Sequence, residues 1–422
     1  MIAIPLLAGP GTVYAILRDV ATGTVTTNAV SDGVVSAGTY YLPISALPVN
    51  RYCDVAVYAT GANGAHDSRT YSVRVRNAKE TKIVLRAAGY SGNDVADFPA
   101  LVRLSGETAG FGYDNLFDKA AGSDIHFQDE SGNELPFDCD TWNTEGESLF
   151  WVKMPVLSRG AKVIMFYGVE HAANTAANRA AVWSGQTGVW HLDGTGYAYN
   201  SAAEDVNSLR GWNNGTVYAD AGVAGGARLL SKSTGQDAKE GHLVVSKSTA
   251  LNLGNTFTVS GWFKYYNKNQ NTGYDRLFGY KTKWDSSDGW EVTLIKGTSG
   301  ELGIRGGTST SCNAVLGSPI NDGEWHFLTI AYTGTTASVY ENGVRILEDG
   351  NIGTAAGDSS VDFVIGNNGS KDEVTFKGTV DEVRYGAGTL SADRIKADYE
   401  TVANRDFFSA SEVVTGFTVI VK

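Results

Sequence analysis

The chain has 422 residues, more than one hydrophobic core of ordinary size serves, so length alone suggests roughly two to four units. Its 42% hydrophobic and 19% charged residues, with 51 Gly and only 8 Pro, exclude collagen-like and disordered classes. A balance of 34 basic against 46 acidic residues gives a net charge of -12. No dense Lys/Arg cluster accompanies it, which excludes the electrostatic footprint of a nucleic-acid binder. No run of about 18 apolar residues offers a membrane-spanning helix. Cys53, Cys139 and Cys312 lie far apart in sequence, which argues against a disulfide framework.

The apolar opening, Met1 to Ala8, lacks a basic leader and reads as a first strand or an artificial start rather than the remnant of a secretory signal. Short β-branched and aromatic runs between Gly, Asn, Asp and Ser clusters then recur along the whole chain, so the protein reads as all-β. Over residues 1–79 the runs at 12–17, 38–42, 52–58 and 71–76 predict a small immunoglobulin-like sandwich. With no Trp and no cluster of acids or His, it reads as a spacer or docking module. A second sandwich is predicted over 80–182, with strands near 81–85, 100–104, 124–127, 149–153 and 162–167. Alternation there puts Ile125 and Phe127 on one face and His126 on the other, so His126 and Asp129 read as a solvated strand face. Trp142 and Trp151 read as core. The Ala/Asn-rich stretch 171–181 reads as a connector.

A third unit is predicted over 183–405. Thr256 to Lys264 and His326 to Tyr332 alternate at period two, as strands with one buried face should. Asn342-Gly343 supplies a tight hairpin turn, and Ser391 a helix N-cap. A terminal segment, 406–422, ends in the apolar run 416–422. That run could pair with the amino-terminal unit, open a further domain, or complete a neighbouring subunit by strand addition.

Two resemblances rest on particular motifs. The series DFPALVRLS (97–105), GSDIHFQDESGNELPFDCDTW (122–142), ESLFWVKMPVL (147–157) and KVIMFYGV (162–169) resembles a bacterial β-sandwich domain of unknown function, which commonly precedes a laminin-G-like domain in exported proteins. The series VWHLDG (189–194), WNNGTV (212–217), STALNLGNTFTVSGWFKYY (248–266), NDGEWHFLTIAYTGTTASVYENGVRI (321–346), FVIGNN (363–368) and FKGTVDEVRYGAGTLSADRIKADY (376–399) resembles the laminin-G-like, concanavalin-like jelly roll. The resemblance implies an extracellular or cell-surface protein and one structural calcium ion held by Asp193, Asn213 and Asp381. Gly194 and Asn200 stand where relatives carry acids, which lowers the donor charge, and Asp381 could instead pair with Arg384 or cap a turn.

The jelly roll hosts lectins, adhesins and some glycosidases, so the site must decide. Retaining glycosidases need two facing carboxylates, which glucanases of this fold class draw from an E-x-D-x-E strand absent here. Asp381 and Glu382 are adjacent, and adjacent strand residues point to opposite faces. The sequence therefore reads as a non-catalytic, lectin-like binding protein for a glycan or surface glycoprotein. The competing readings are a structural subunit of a surface filament or phage tail, with self-association through terminal strands, and an accessory module of a glycosidase. Trp284, in the polar loop 281–289 with Asp285 and Asp288, is the leading candidate for stacking on a sugar. Tyr274 and Trp212 follow, while Trp262 and Trp325 read as core.

Overall fold

A computed structural model describes residues 2–6, 11–19, 23–29, 38–42, 52–61, 66–74, 80–235, 239–266, 273–287, 289–296, 300–307, 311–354, 360–371 and 373–413. Asp288 and the 416–422 run lie outside them. The described chain is all-β apart from short helical turns and two α-helices, Ala176–Val182 and Ala392–Ala403. No described helix is long and apolar enough to cross a membrane.

At the amino terminus, Val25–Ala29, Gly11–Asp19, Tyr52–Gly61 and His66–Arg74 form a four-stranded antiparallel sheet, and Ile2–Leu6 pairs with Gly38–Leu42. Alternation buries Ala15, Leu17 and Val55 on one face. Tyr14 and Tyr58, partners across two strands, stack at 5.1 Å.

The middle sandwich sets the sheet Phe137–Thr141, Ser148–Leu157, Val95–Leu104 against a four-stranded one. In the second sheet the order is Ser409–Val413, Thr81–Arg86, Lys162–Tyr167, His126–Gln128. Phe98, Val102, Phe127, Phe150, Val163 and Met165 fill the space between. The chain thus returns more than 300 residues later to add an edge strand here, register Ala410 to Leu85.

The jelly roll has an eight-stranded and a seven-stranded sheet. Strand Thr256–Tyr265 lies between His326–Thr333 and Gly378–Ala387 in the first sheet. Between the sheets, Trp190, Phe257, Trp290, Tyr332, Phe363 and Tyr385 form an aromatic core. Glu341 pairs with Val344 around Asn342 (φ 50°) and Gly343 (φ 77°), the left-handed pair that the tight turn requires. Ser391 caps the helix Ala392–Ala403 by accepting from the Arg394 N–H.

That helix packs back on the middle sandwich, where Thr401 Oγ1 accepts from the Leu101 N–H at 2.9 Å. A separate apolar cluster joins the two units and includes Leu101, Trp151, Trp183, Val189, Trp262 and Val402. Trp151 and Trp262 are buried as expected, yet they fill this junction rather than either sandwich interior. Trp142 and Trp325 are only half-buried.

His126 corrects the reading of a solvated face. It is 5% exposed, stacked at 3.7 Å on His171 and at 5.1 Å on Phe166. The connector carries His171 over the strand's outer face, a cover that strand alternation does not encode. Asp129 accepts from the Ser131 and Asn133 N–H groups and holds its own turn.

Candidate functional site

The jelly roll carries a sealed polar cluster on one side and an open groove on another. The sealed one lies at the junction with the middle sandwich. Strand alternation along Phe137–Thr141 points Asp138 and Asp140 the same way, toward His191 just beyond strand Gln186–Trp190. His191 donates from Nδ1 to Glu382 Oε1 at 2.5 Å and from Nε2 to Asp138 Oδ2 at 3.2 Å. Asp138 also accepts from the Trp183 indole at 2.8 Å, and Asp140 from the Trp151 indole at 3.2 Å. Arg384 reaches Glu382 at 3.2 Å and Asp398 at 3.4 Å. Its guanidinium lies over the rings of Trp151 and Trp183 at 4.5 and 4.8 Å.

Sequence alternation had placed Asp381 and Glu382 on opposite faces, and the structure corrects this. The register against Thr256–Tyr265 shifts between Ser260 and Trp262, and Glu382 takes a left-handed φ of 49°. Such a bulge inserts an extra residue and breaks the two-residue period. Both acids therefore serve the junction: Glu382 holds His191, and Asp381 accepts the Val223 and Ala224 N–H groups at 2.8 and 3.1 Å.

Electrostatics explain how so many carboxylates share one interior. Burial opposes a charge on His191, but Asp140 and Glu382 beside it outweigh that and hold its pKa well above the ordinary value. Burial also pushes Glu382 up, yet His191 and Arg384 pull it below the usual range, so it stays ionised. Burial pushes Asp140 and Asp381 well up, with neighbouring acids adding to the shift. The donor atoms of Asp140, His191 and Glu382 lie within 4.8 Å of one another. Both ring nitrogens of His191 are nevertheless spent on carboxylates, so the imidazolium is itself the cation of this centre.

The calcium set fares similarly. Asp193 and Asp381 meet at one turn, 222–226, whereas Asn213 is held apart by Arg228 and Thr195 O, and an oxygen of each is engaged. Asp193 Oδ1 accepts from Gly226 N–H at 2.8 Å, and Asp381 caps the turn as described rather than pairing with Arg384. The fully buried Arg228 takes Gly194 O at 2.9 Å, Asn213 Oδ1 at 2.9 Å and Asp193 O at 3.5 Å. A guanidinium thus takes the Asn213 oxygen and two nearby carbonyls, while the Asp193 and Asp381 carboxylates accept backbone N–H groups, so a Ca²⁺ here would have to displace Arg228 from Asn213.

The open place is a groove of about 840 Å³ beside strand Gly211–Asn214, at the edge of the seven-stranded sheet. Its lining includes Tyr197, Asn207, Arg210, Trp212, Asn213 and Ser246. Tyr197 is 48% exposed, with the Arg210 guanidinium 3.8 Å from its ring centre, and Arg210 is steadied by Asn207 Oδ1 at 2.8 Å. The Trp212 indole donates to Ser246 Oγ at 3.3 Å, and Lys371 Nζ lies 5.5 Å from its ring centre. Arg210 and Lys247 are the charged residues of this lining.

Of the sequence candidates, Trp212 and Asn213 line the groove, while Trp284 and Tyr274 do not. Trp284 sits on the turn after strand Arg276–Tyr280, 50% exposed, with Arg305 5.7 Å from its ring centre. Asp285 beside it pairs with Lys283 at 3.3 Å. Tyr274 precedes that strand at its other end, 48% exposed. Sequence reasoning missed Tyr197 and Arg210, although an aromatic in a Gly-rich polar stretch was the same signal that singled out Trp284.

Two family models agree with this architecture. Residues 237–396 match the family described as the Concanavalin A-like lectin/glucanases superfamily. Residues 121–214 match the Domain of unknown function (DUF2341), a span that holds Asp138, Asp140 and His191 together. The chain thus pairs a domain of unknown function with a laminin-G-like jelly roll. No curated protein matches the chain. Among solved structures it is similar to domain 4 of AbnA, an extracellular arabinanase of Geobacillus stearothermophilus solved with arabinotriose. That likeness has 20% identity over 49% of this chain and 98% of the other, TM-score 0.36. It is also similar to the binding domain of Paraclostridial Mosquitocidal Protein 1, with 14% identity over 52% of this chain and 53% of the other, TM-score 0.39. The chain therefore spans about half the length of that binding domain.

Proposed function

We propose that this is a non-catalytic binding protein of the extracellular space or cell surface, which holds a glycan or surface glycoprotein in the groove beside Trp212. The observation that carries the reading is the groove itself: two aromatic rings set among hydroxyls, amides and two cations on the rim of a lectin-like sheet. Aromatic faces suit sugar C–H groups, and Asn207, Ser208 and Ser246 suit hydroxyls. With Arg210 and Lys247 its charged lining, the groove favours a sugar bearing a carboxylate or sulfate over a neutral one. Trp284 and Tyr274 present further rings on another part of the same domain, where a long glycan could make separate contacts.

The carboxylates of the junction support the non-catalytic part of the reading. Asp381 and Glu382 are 0% and 1% exposed and hydrogen-bonded within the chain, so they face neighbours and not solvent. The test is a broad glycan array followed by titration of the best ligand into the intact protein and Trp212→Ala. The reading expects the variant to lose about 1 to 3 kcal/mol of binding, the size of one anchoring aromatic. An array with no binder would hand the protein to the structural-subunit reading.

A further inference from the structure

We propose that His126, Glu134 and His171 form a binding site for one divalent transition-metal ion, such as Zn²⁺, on the outer face of the middle sandwich. One ligand atom from each lies within 4.8 Å of the other two. They come from three separate places: the strand His126–Gln128, its bridge partner Glu134, and the connector that follows strand Lys162–Tyr167. Two imidazoles and a carboxylate are a donor set that zinc accepts with a fourth position left to water.

A second observation concerns how the rings are held. His171 Nδ1 lies 3.0 Å from Ala172 O, and His126 Nδ1 faces Asp124 O at 3.5 Å. A ring that gives its Nδ1–H to a carbonyl keeps its lone pair on Nε2, the orientation that backbone partners impose on metal-binding histidines. Glu134 is likewise steadied, accepting from Gln128 Nε2 at 2.6 Å. His126 is buried and fixed between Phe166 and His171, whereas Glu134 and His171 are exposed, so an ion reaches the site from solvent. The sealed centre at His191 differs on this point, since there each ring nitrogen already holds a carboxylate.

Donors at about 2.1 Å in a tetrahedron stand about 3.4 Å apart. The two rings now stack at 3.7 Å with planes 11° apart, so His171 must swing its free edge inward to close the site. It lies on an exposed connector, whose backbone can take up the swing and carry the Nδ1 contact with Ala172 O along with the ring. Bound metal would pin that connector, which leads into helix Ala176–Val182 and the jelly roll, to the sheet beneath it.

Chelator-treated intact protein is titrated with Zn²⁺ by calorimetry, and its melting temperature is read with and without the ion, beside His171→Ala and Glu134→Gln. Both replaced residues are exposed, so both variants should fold. The expected result is one Zn²⁺ per chain, a higher melting temperature with the ion, and affinity reduced by more than about tenfold in each variant. Zinc binding that is equal in all three proteins, or absent from the intact one, would overturn the site.

Discussion

His191 and the Trp212 groove lie on the same stretch of chain, and both gather aromatic rings around polar groups, but they are built to opposite ends. At His191 the ring nitrogens and both terminal nitrogens of Arg384 meet acceptors from the same molecule: two carboxylates take the ring, and Arg384 spans Glu382 and Asp398. Around Trp212 the groove is open: Tyr197, Asn207, Ser208 and Ser246 are exposed and Trp212 is half-buried. What separates a structural polar cluster from a binding one is therefore where the partner resides, and not how polar the cluster is. A buried ion network holds units in register, whereas open aromatic and polar groups keep their interaction free energy for a ligand.

The largest effect that could break this contrast is loss of a partner in the sealed centre. His191→Ala should destabilise the protein by about 3 to 5 kcal/mol, because it removes the cation that Asp138, Asp140 and Glu382 face in the interior. Denaturant unfolding checks this, and a cost below about 1 kcal/mol would mean the centre is better solvated than its geometry indicates.

Next in size is the pH dependence. His191 has a raised folded pKa, so its stabilisation is complete below the ordinary histidine value of about 6.5 and is lost as pH rises through the folded value. Raised values for Asp140 and Asp381 act in the same direction, since ionising them costs more in the folded state. Glu382, whose pKa is lowered, acts the other way, and its contribution is lost as pH falls below about 4.5. The melting temperature should therefore fall on raising the pH from 6 toward 9 and flatten in His191→Ala, a difference that scanning calorimetry resolves.

Trp284→Ala should change stability by no more than about 0.5 kcal/mol, since half of that residue is already in water. A larger thermal loss would show that its ring packs on the Arg305 strand. The smallest expected effect is that of calcium. With Arg228 holding Gly194 O, Asn213 Oδ1 and Asp193 O, Ca²⁺ added to chelator-treated protein should leave the melting temperature unchanged, whereas a clear rise would mean that the guanidinium yields to the ion.

The all-β architecture was legible because it is written locally. Alternation along Thr256–Tyr265, the Asn342-Gly343 turn and the Ser391 cap each involve neighbours in sequence. The sealed centre was not legible, because Asp138, His191 and Glu382 meet only after two sandwiches dock and a bulge at Glu382 resets the strand period. One trace of it was available: Asp138 and Asp140, two apart in a strand, had to share a face. The contact of Arg228 with Asn213 was not legible for a related reason, since Arg228 lies in a strand with no sequence mark that its side chain turns that way.

The central claim is that the open groove, and not the sealed centre, makes this protein a binder. It is tested most directly by titrating the best glycan from an array into the intact protein and Trp212→Ala, with melting temperatures measured in parallel. The account predicts binding weakened by about 1 to 3 kcal/mol at nearly unchanged melting temperature. Undiminished binding by Trp212→Ala would contradict it.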